Sequence, residues 1–133
     1  MKGGWLGGGG LEYKVSMLYL ANAFSLNMLG TKAKVKIRIE KITAEEVKNI
    51  IQFHGKFQSA IGHLSTANVL SELLGIEVPH NRTEIKLEKG DVLIVFQVKA
   101  RLEEGKVLSK EEILALPTEF FLIVCEDEKD EKS

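Results

Sequence analysis

Cysteine occurs once, histidine three times and proline twice in these 133 residues, and no charge sign dominates. Each scarcity excludes something. A lone Cys125 cannot close an internal disulfide, and no Cys/His pair has zinc-ligand spacing. The default expectation is therefore a reducing compartment and a site without metal or other cofactor. Lys and Arg number 18 against 19 Asp and Glu, a net charge of -1. That balance argues against binding long nucleic acid through bulk positive charge, so an anionic ligand would have to meet a local basic pocket. No apolar run approaches bilayer length and the N-terminus lacks an apolar signal core. The expectation is a soluble, cytoplasmic protein with no membrane partner.

What is present suits one globular domain with a core of ordinary size: 44% hydrophobic and 28% charged residues. Residues 1–16, with the run Gly7-Gly8-Gly9-Gly10, read as a flexible glycine-rich extension. They lack the Gly-x-x-x-x-Gly-Lys-Ser/Thr phosphate loop. The fold is expected over 17–125, followed by a charged, disordered tail over 126–133.

Within that span, Met17–Asn22 is a short apolar run that reads as an interior strand. Asn22, Ser25 and Asn27 then place amides and a hydroxyl at a strand end, where α/β folds commonly bind ligands; the same residues also make ordinary turns. Lys32–Glu40 alternates, with Ala33, Val35, Ile37 and Ile39 on one face and Lys34, Lys36 and Arg38 on the other, a half-buried strand with a solvated basic stripe. Thr43-Ala44-Glu45-Glu46 is a capping box opening a helix through His54.

Past Pro79, Arg82–Glu88 alternates as a further strand, and Lys89-Gly90-Asp91 turns into Val92–Val98, the most apolar strand and the expected sheet centre, pairing with Arg82–Glu88 as a hairpin. Gln97 is conspicuous in it, since a polar group in a central strand needs a partner. Ser109-Lys110-Glu111-Glu112 is a second capping box, Pro117 stops its helix, and Glu119–Cys125 is a last strand. The order β-β-α-α-β-β-α-β predicts a small single-domain α/β fold: a mixed sheet of about five strands with helices packed against it.

The stretch most suggestive of chemistry is Gln58–Ala67. Gly62 and His63 stand before a helix that Ser65 or Thr66 would cap and Gly75 would end. Gly62 lets backbone approach a ligand, a helix N-terminus favours an anion, and an imidazole there can exchange a proton near neutral pH. Taken alone, a lone histidine before a helix is more often a satisfied structural residue or an exposed one than a catalytic group. Arg101 and Glu104 follow the central strand as a phosphate clamp and a proton-exchanging carboxylate, or as a surface ion pair.

Four ordered blocks, Leu20–Leu29, Ser59–His63 with Ser65-Thr66, Asn81–Lys86 and Arg101–Leu108, resemble the viral ring nucleases. This is the type III anti-CRISPR family of archaeal viruses and bacteriophages, which also has cellular relatives. The resemblance runs from Met17 to about Val124; Leu64 and Pro79-His80 depart from it. It implies a homodimer with a pocket across its interface, in which a two-fold symmetric ring of four nucleotides shares the dimer axis. The implied activity is metal-independent cleavage of cyclic tetra-adenylate to linear di-adenylates, which silences type III CRISPR signalling in the host cytoplasm. His63 would be the general acid, Arg101 with Arg82 would offset phosphate charge, and Glu104 would orient His63 or assist proton transfer. Asn22, Ser25, Asn27 and Gln97 would hold the ring or read its bases, beside Gly62, Ser65 and Thr66. Two alternatives stay open: a non-catalytic anti-CRISPR or regulator binding an effector protein, and a binder that sequesters the ring uncut.

Overall fold

The computed structural model describes residues 16–31, 34–101 and 107–126. The glycine-rich extension up to residue 15, Lys32, Ala33, Glu104 and residues 127–133 lie outside the described residues.

The elements run β1 (Leu18–Ala21), β2 (Lys36–Ile42), α1 (Ala44–His54), β3 (Gln58–Ala60), α2 (Leu64–Leu74), β4 (Val92–Val98), α3 (Lys110–Leu114) and β5 (Thr118–Glu126), with a short 3-10 turn at Leu26–Leu29. The five strands form one mixed sheet in the order β2-β5-β4-β1-β3. Ladders β1–β3 and β1–β4 are parallel, whereas β4–β5 and β5–β2 are antiparallel. The expected α/β class, the mixed sheet and the central place of Val92–Val98 are all observed.

Period-two alternation sorts the strand residues between two apolar layers. Leu18, Leu20, Val92, Ile94, Phe96, Phe120, Leu122 and Val124 face the helices and pack with Val47 and Ile50 of α1, Leu70 and Leu74 of α2 and Ile113 of α3. Their neighbours Ala21, Leu93, Val95 and Ile123 belong to a second cluster on the other face, closed by Ile85 and Leu87 with Phe24, Met28 and Leu29. The rings of Phe96 and Phe120 meet within the helix-facing layer, their centroids 5.0 Å apart and tilted.

Both capping boxes form as read. Thr43 Oγ1 accepts from Glu46 N–H at 3.1 Å while Glu46 Oε1 accepts from Thr43 N–H at 2.8 Å; Ser109 and Glu112 repeat the pattern at 3.1 and 2.8 Å. Gly75 ends α2 in the left-handed region, φ 69°. Gly90, at φ 90°, sits in the turn before β4, where Asp91 Oδ2 accepts from Glu88 N–H at 2.8 Å.

Four expectations need correction. Arg82–Glu88 joins no ladder and makes no hairpin with β4, whose edges are taken by β1 and β5. Its alternation is real, since Ile85 and Leu87 are buried, but it serves as a lid over the second apolar layer, tied by Leu87 N–H to Met28 C=O at 2.7 Å. A strand at Gln58–Ala60, unforeseen, fills the edge beside β1 instead. In β2, Ile37 is packed but Ile39 is 56% exposed, because this strand is the opposite edge and one of its faces runs beyond the covering lid. Finally, β5 runs through Glu126, one residue past the expected domain end.

Candidate active site

Because β1, β3 and β4 are parallel, their carboxyl ends lie at the same end of the sheet, the usual place for a ligand in such folds. Asn22 follows β1, Ile61-Gly62-His63 follows β3, and Lys99-Ala100-Arg101 follows β4. A cavity of about 440 Å³ opens there, lined by Asn22, His63, Ser65, Thr66, Gln97 and Lys99. Phe96, Val98 and Ala100 supply its apolar portion. Five residues singled out from the sequence thus meet in one space. Gln97 is exposed rather than buried, since β4 outruns its neighbour β1 at this end; its amide opens onto the cavity.

The local fold explains His63. Ser59 Oγ donates to Pro79 C=O at 2.6 Å, and Asn81 Nδ2 donates to Ser59 C=O at 2.7 Å. Asn81 N–H donates to Ile61 C=O at 2.9 Å, and His80 Nε2 lies 3.2 Å from Gly62 C=O. Residues 79–81 therefore hold the end of β3 extended up to Gly62. His63 is the N-cap of α2, in extended conformation (φ -126°, ψ 128°), without a side-chain capping bond. This corrects the expected cap at Ser65 or Thr66: the chain reverses directly after the pinned segment, so both hydroxyls fall within the first turn. The positive end of the helix dipole stands beside His63.

Other expected site residues lie elsewhere. Arg101 lines a neighbouring cavity of about 750 Å³ between α2 and α3, which shares Ser65 with the first. Arg82 lies against Gly62: a Cβ on that glycine would meet Arg82 Cγ and Nε at 3.8 Å, ordinary contact. Neither Gly62 nor Arg82 lines either cavity. Ser25 Oγ accepts from Asn27 N–H at 3.0 Å to cap the 3-10 turn, and Asn27 C=O receives Lys86 Nζ at 3.4 Å. Both serve turn structure, and neither lines either cavity.

Sequence reasoning missed Lys99, and it read Val78–Asn81 as a break in the chain, with Asn81 opening one of the blocks that carry the family resemblance. An asparagine two residues after a proline was the available sign of backbone pinning. Lys99 carries an electrostatic link across the sheet: its Nζ is 3.3 Å from Glu119 Oε1, and Lys41 Nζ is 2.9 Å from Glu119 Oε2. The hydrogen bond from Lys41 holds the Glu119 carboxyl below its usual range, with Lys99 adding to this and partial burial opposing it. In the second apolar layer, burial pushes the Tyr19 phenol up, reinforced by Asp91 and Glu88. Among the described residues no group of three His, Cys, Asp or Glu is placed to hold a metal ion, and no helix is long and apolar enough to cross a membrane.

Comparison with known proteins agrees with this frame. The family described as STIV B116-like matches residues 18–120. The chain is similar to uncharacterized protein ORF117 of Acidianus two-tailed virus, 48% identical over 93 residues, covering 69% of this chain and 78% of that protein. It is also similar to uncharacterized protein YddF of Bacillus subtilis, 33% identical over 99 residues, covering 74% and 92%. Among solved structures it resembles B116 of Sulfolobus turreted icosahedral virus, with a TM-score of 0.70 and 34% identity, covering 81% of this chain and 98% of that one.

Proposed function

From its membership of the STIV B116-like family, to which this chain belongs, and from the geometry of its strand ends, we propose that it is a ring nuclease. It cleaves cyclic tetra-adenylate to linear di-adenylates and thereby switches off type III CRISPR signalling, as an anti-CRISPR where the bearer is a virus. The observation that carries the reading is the convergence of Asn22, His63, Ser65, Thr66 and Gln97 on one cavity at the carboxyl ends of parallel strands. That cavity, about 440 Å³ on one protomer, has room for part of a four-nucleotide ring, which supports a homodimer in which two protomers share one ring about a common two-fold axis.

The reaction is an in-line attack of a ribose 2′-hydroxyl on its neighbouring phosphodiester. The 2′-oxygen bonds to phosphorus as its proton passes to Glu104 or to water, and the bond from phosphorus to the 5′-oxygen breaks. Protonated His63 gives its proton to that departing oxygen, leaving a 2′,3′-cyclic phosphate and a 5′-hydroxyl. General acid catalysis of this kind contributes about 10²–10⁴-fold. The dipole of α2, whose N-terminus stands beside His63, offsets charge developing on the phosphate. Asn22 and Gln97 carry the amide groups suited to adenine edges. The substrate supplies its own nucleophile, so the scheme runs without a metal ion.

The test is to incubate protein with cyclic tetra-adenylate in EDTA and resolve the products, with His63→Ala alongside. Cleavage to di-adenylates by the parent, slowed about 10²–10⁴-fold in the variant, is the expected result. Tight binding without cleavage would replace the nuclease with a sequestering protein. A folded dimer that neither binds nor cuts the ring would refute both and leave an effector protein as the target.

A further inference from the structure

Lys99 is the one lysine or arginine among the described residues lining the His63 cavity, since Arg101 opens onto the neighbouring one. Its backbone is fixed: Lys99 N–H donates to Pro117 C=O at 2.7 Å, continuing the link between β4 and the chain entering β5. Its side chain is 52% exposed, and Glu119 restrains it at 3.3 Å. Glu119 is itself engaged more closely by Lys41 at 2.9 Å, so it retains a partner when Lys99 leaves.

We propose that Lys99 is an anion-binding residue of the His63 cavity, held in place by Glu119 until a ligand phosphate takes it over. The choice of a phosphodiester as ligand rests on the ring-nuclease reading; the location of the cation rests on geometry alone. The exchange replaces one ion pair with another, so its net effect is that of a half-exposed charge-assisted hydrogen bond. Lys41 remains on Glu119, and the carboxylate is not left bare. Lys99 touches the ligand without taking part in proton transfer, so its loss weakens binding and spares the chemical step. Binding through it also releases a counterion, which makes affinity fall with salt.

The experiment uses two probes on the parent, Lys99→Ala, Lys99→Arg and Glu119→Gln. Adenosine 5′-monophosphate is titrated into ¹⁵N-labelled protein while the Ser65 and Thr66 amides are followed. Cleavage of cyclic tetra-adenylate is measured over a range of KCl. Lys99→Ala is expected to weaken nucleotide binding and raise KM by about five- to tenfold with kcat nearly unchanged, and to reduce the slope of log KM against log salt by about 0.7–1. Lys99→Arg should restore both, and Glu119→Gln should lower KM at low salt. Lys99→Ala behaving as the parent in both assays overturns the proposal. Ring cleavage with a KM indifferent to Lys99 overturns it while leaving the ring reading intact. Nucleotide binding that depends on Lys99, with the ring neither bound nor cut, supports the anion site and refutes the ring reading. Absence of binding to either probe refutes both.

Discussion

Asn81 offers the sharpest test of how the site is held. Its side-chain amide donates to the carbonyl of Ser59 at 2.7 Å, and Ser59 is 5% exposed. Removing the donor in Asn81→Ala leaves that carbonyl desolvated and short of a partner, which costs about 1–2 kcal/mol. The Asn81 N–H bond to Ile61 C=O at 2.9 Å is a backbone contact and survives the substitution, so the segment loosens without detaching. With a urea dependence of about 1–3 kcal/mol per molar, the unfolding midpoint should fall by roughly 0.3–2 M at unchanged slope. Asn81→Asp is the more severe isostere, because it sets a carboxylate oxygen against the carbonyl it used to satisfy. Catalysis should suffer more than stability: at 25 °C, where all variants remain folded, both should lower kcat, because the pinned Ile61–Gly62 backbone aims His63. Equilibrium urea unfolding by circular dichroism and single-turnover ring cleavage measure the two effects. An Asn81→Ala midpoint within about 0.3 M of the parent would refute the assigned energy, and full kcat in a destabilised variant would refute the positioning role.

Leu70 of α2 is fully buried in the cluster between the helices and the sheet, so Leu70→Ala should cost about 2–5 kcal/mol, read from the same urea curves; a loss under about 1 kcal/mol would mean the helix layer is loosely packed. Glu119 predicts a pH effect. Its folded pKa is lowered, chiefly by the Lys41 hydrogen bond, so its contribution is present above the ordinary glutamate value of 4.5 and is lost as pH falls through the lower folded value. Urea midpoints measured from neutral pH downward should therefore drop more steeply below about 4.5 in the parent than in Glu119→Gln; parallel profiles would show that the link across Lys41 and Lys99 adds nothing to folding.

Features governed by near neighbours in the chain were readable from the residues. The capping boxes at Thr43 and Ser109 act over three residues, Gly75 ends a helix where it stands, and Val92–Phe96 announces a doubly covered strand by its unbroken apolar run. Arg82–Glu88 shows the limit of that reasoning. Alternation reports which side chains are buried, and it was right for Ile85 and Leu87, but it carries nothing about which backbone a segment pairs with. Gln58–Ala60 escaped notice for the converse reason: three residues are too few for a period, and they form a strand because β1 offers a free edge.

The site divides in the same way. His63, Ser65 and Thr66 are contiguous, and their place at a helix start was legible, off by the position of the cap. That Asn22 and Gln97 reach the same cavity was decided by parallel pairing of β1 with β3 and β4, and that Ser25 and Asn27 stay outside it was decided by the 3-10 turn. Arg101 was separated from His63 by the path of the chain leaving β4. Lys99 drew no attention because an isolated lysine after a strand has no pattern; only Glu119 and Lys41, contributed by β5 and β2, give it meaning. The amino-acid order thus determined capping, turns and facing, which depend on interactions over a few residues. Tertiary structure decided strand neighbours, edges and the shared cavity, because these rest on hydrogen bonds and contacts between segments that the chain alone does not align.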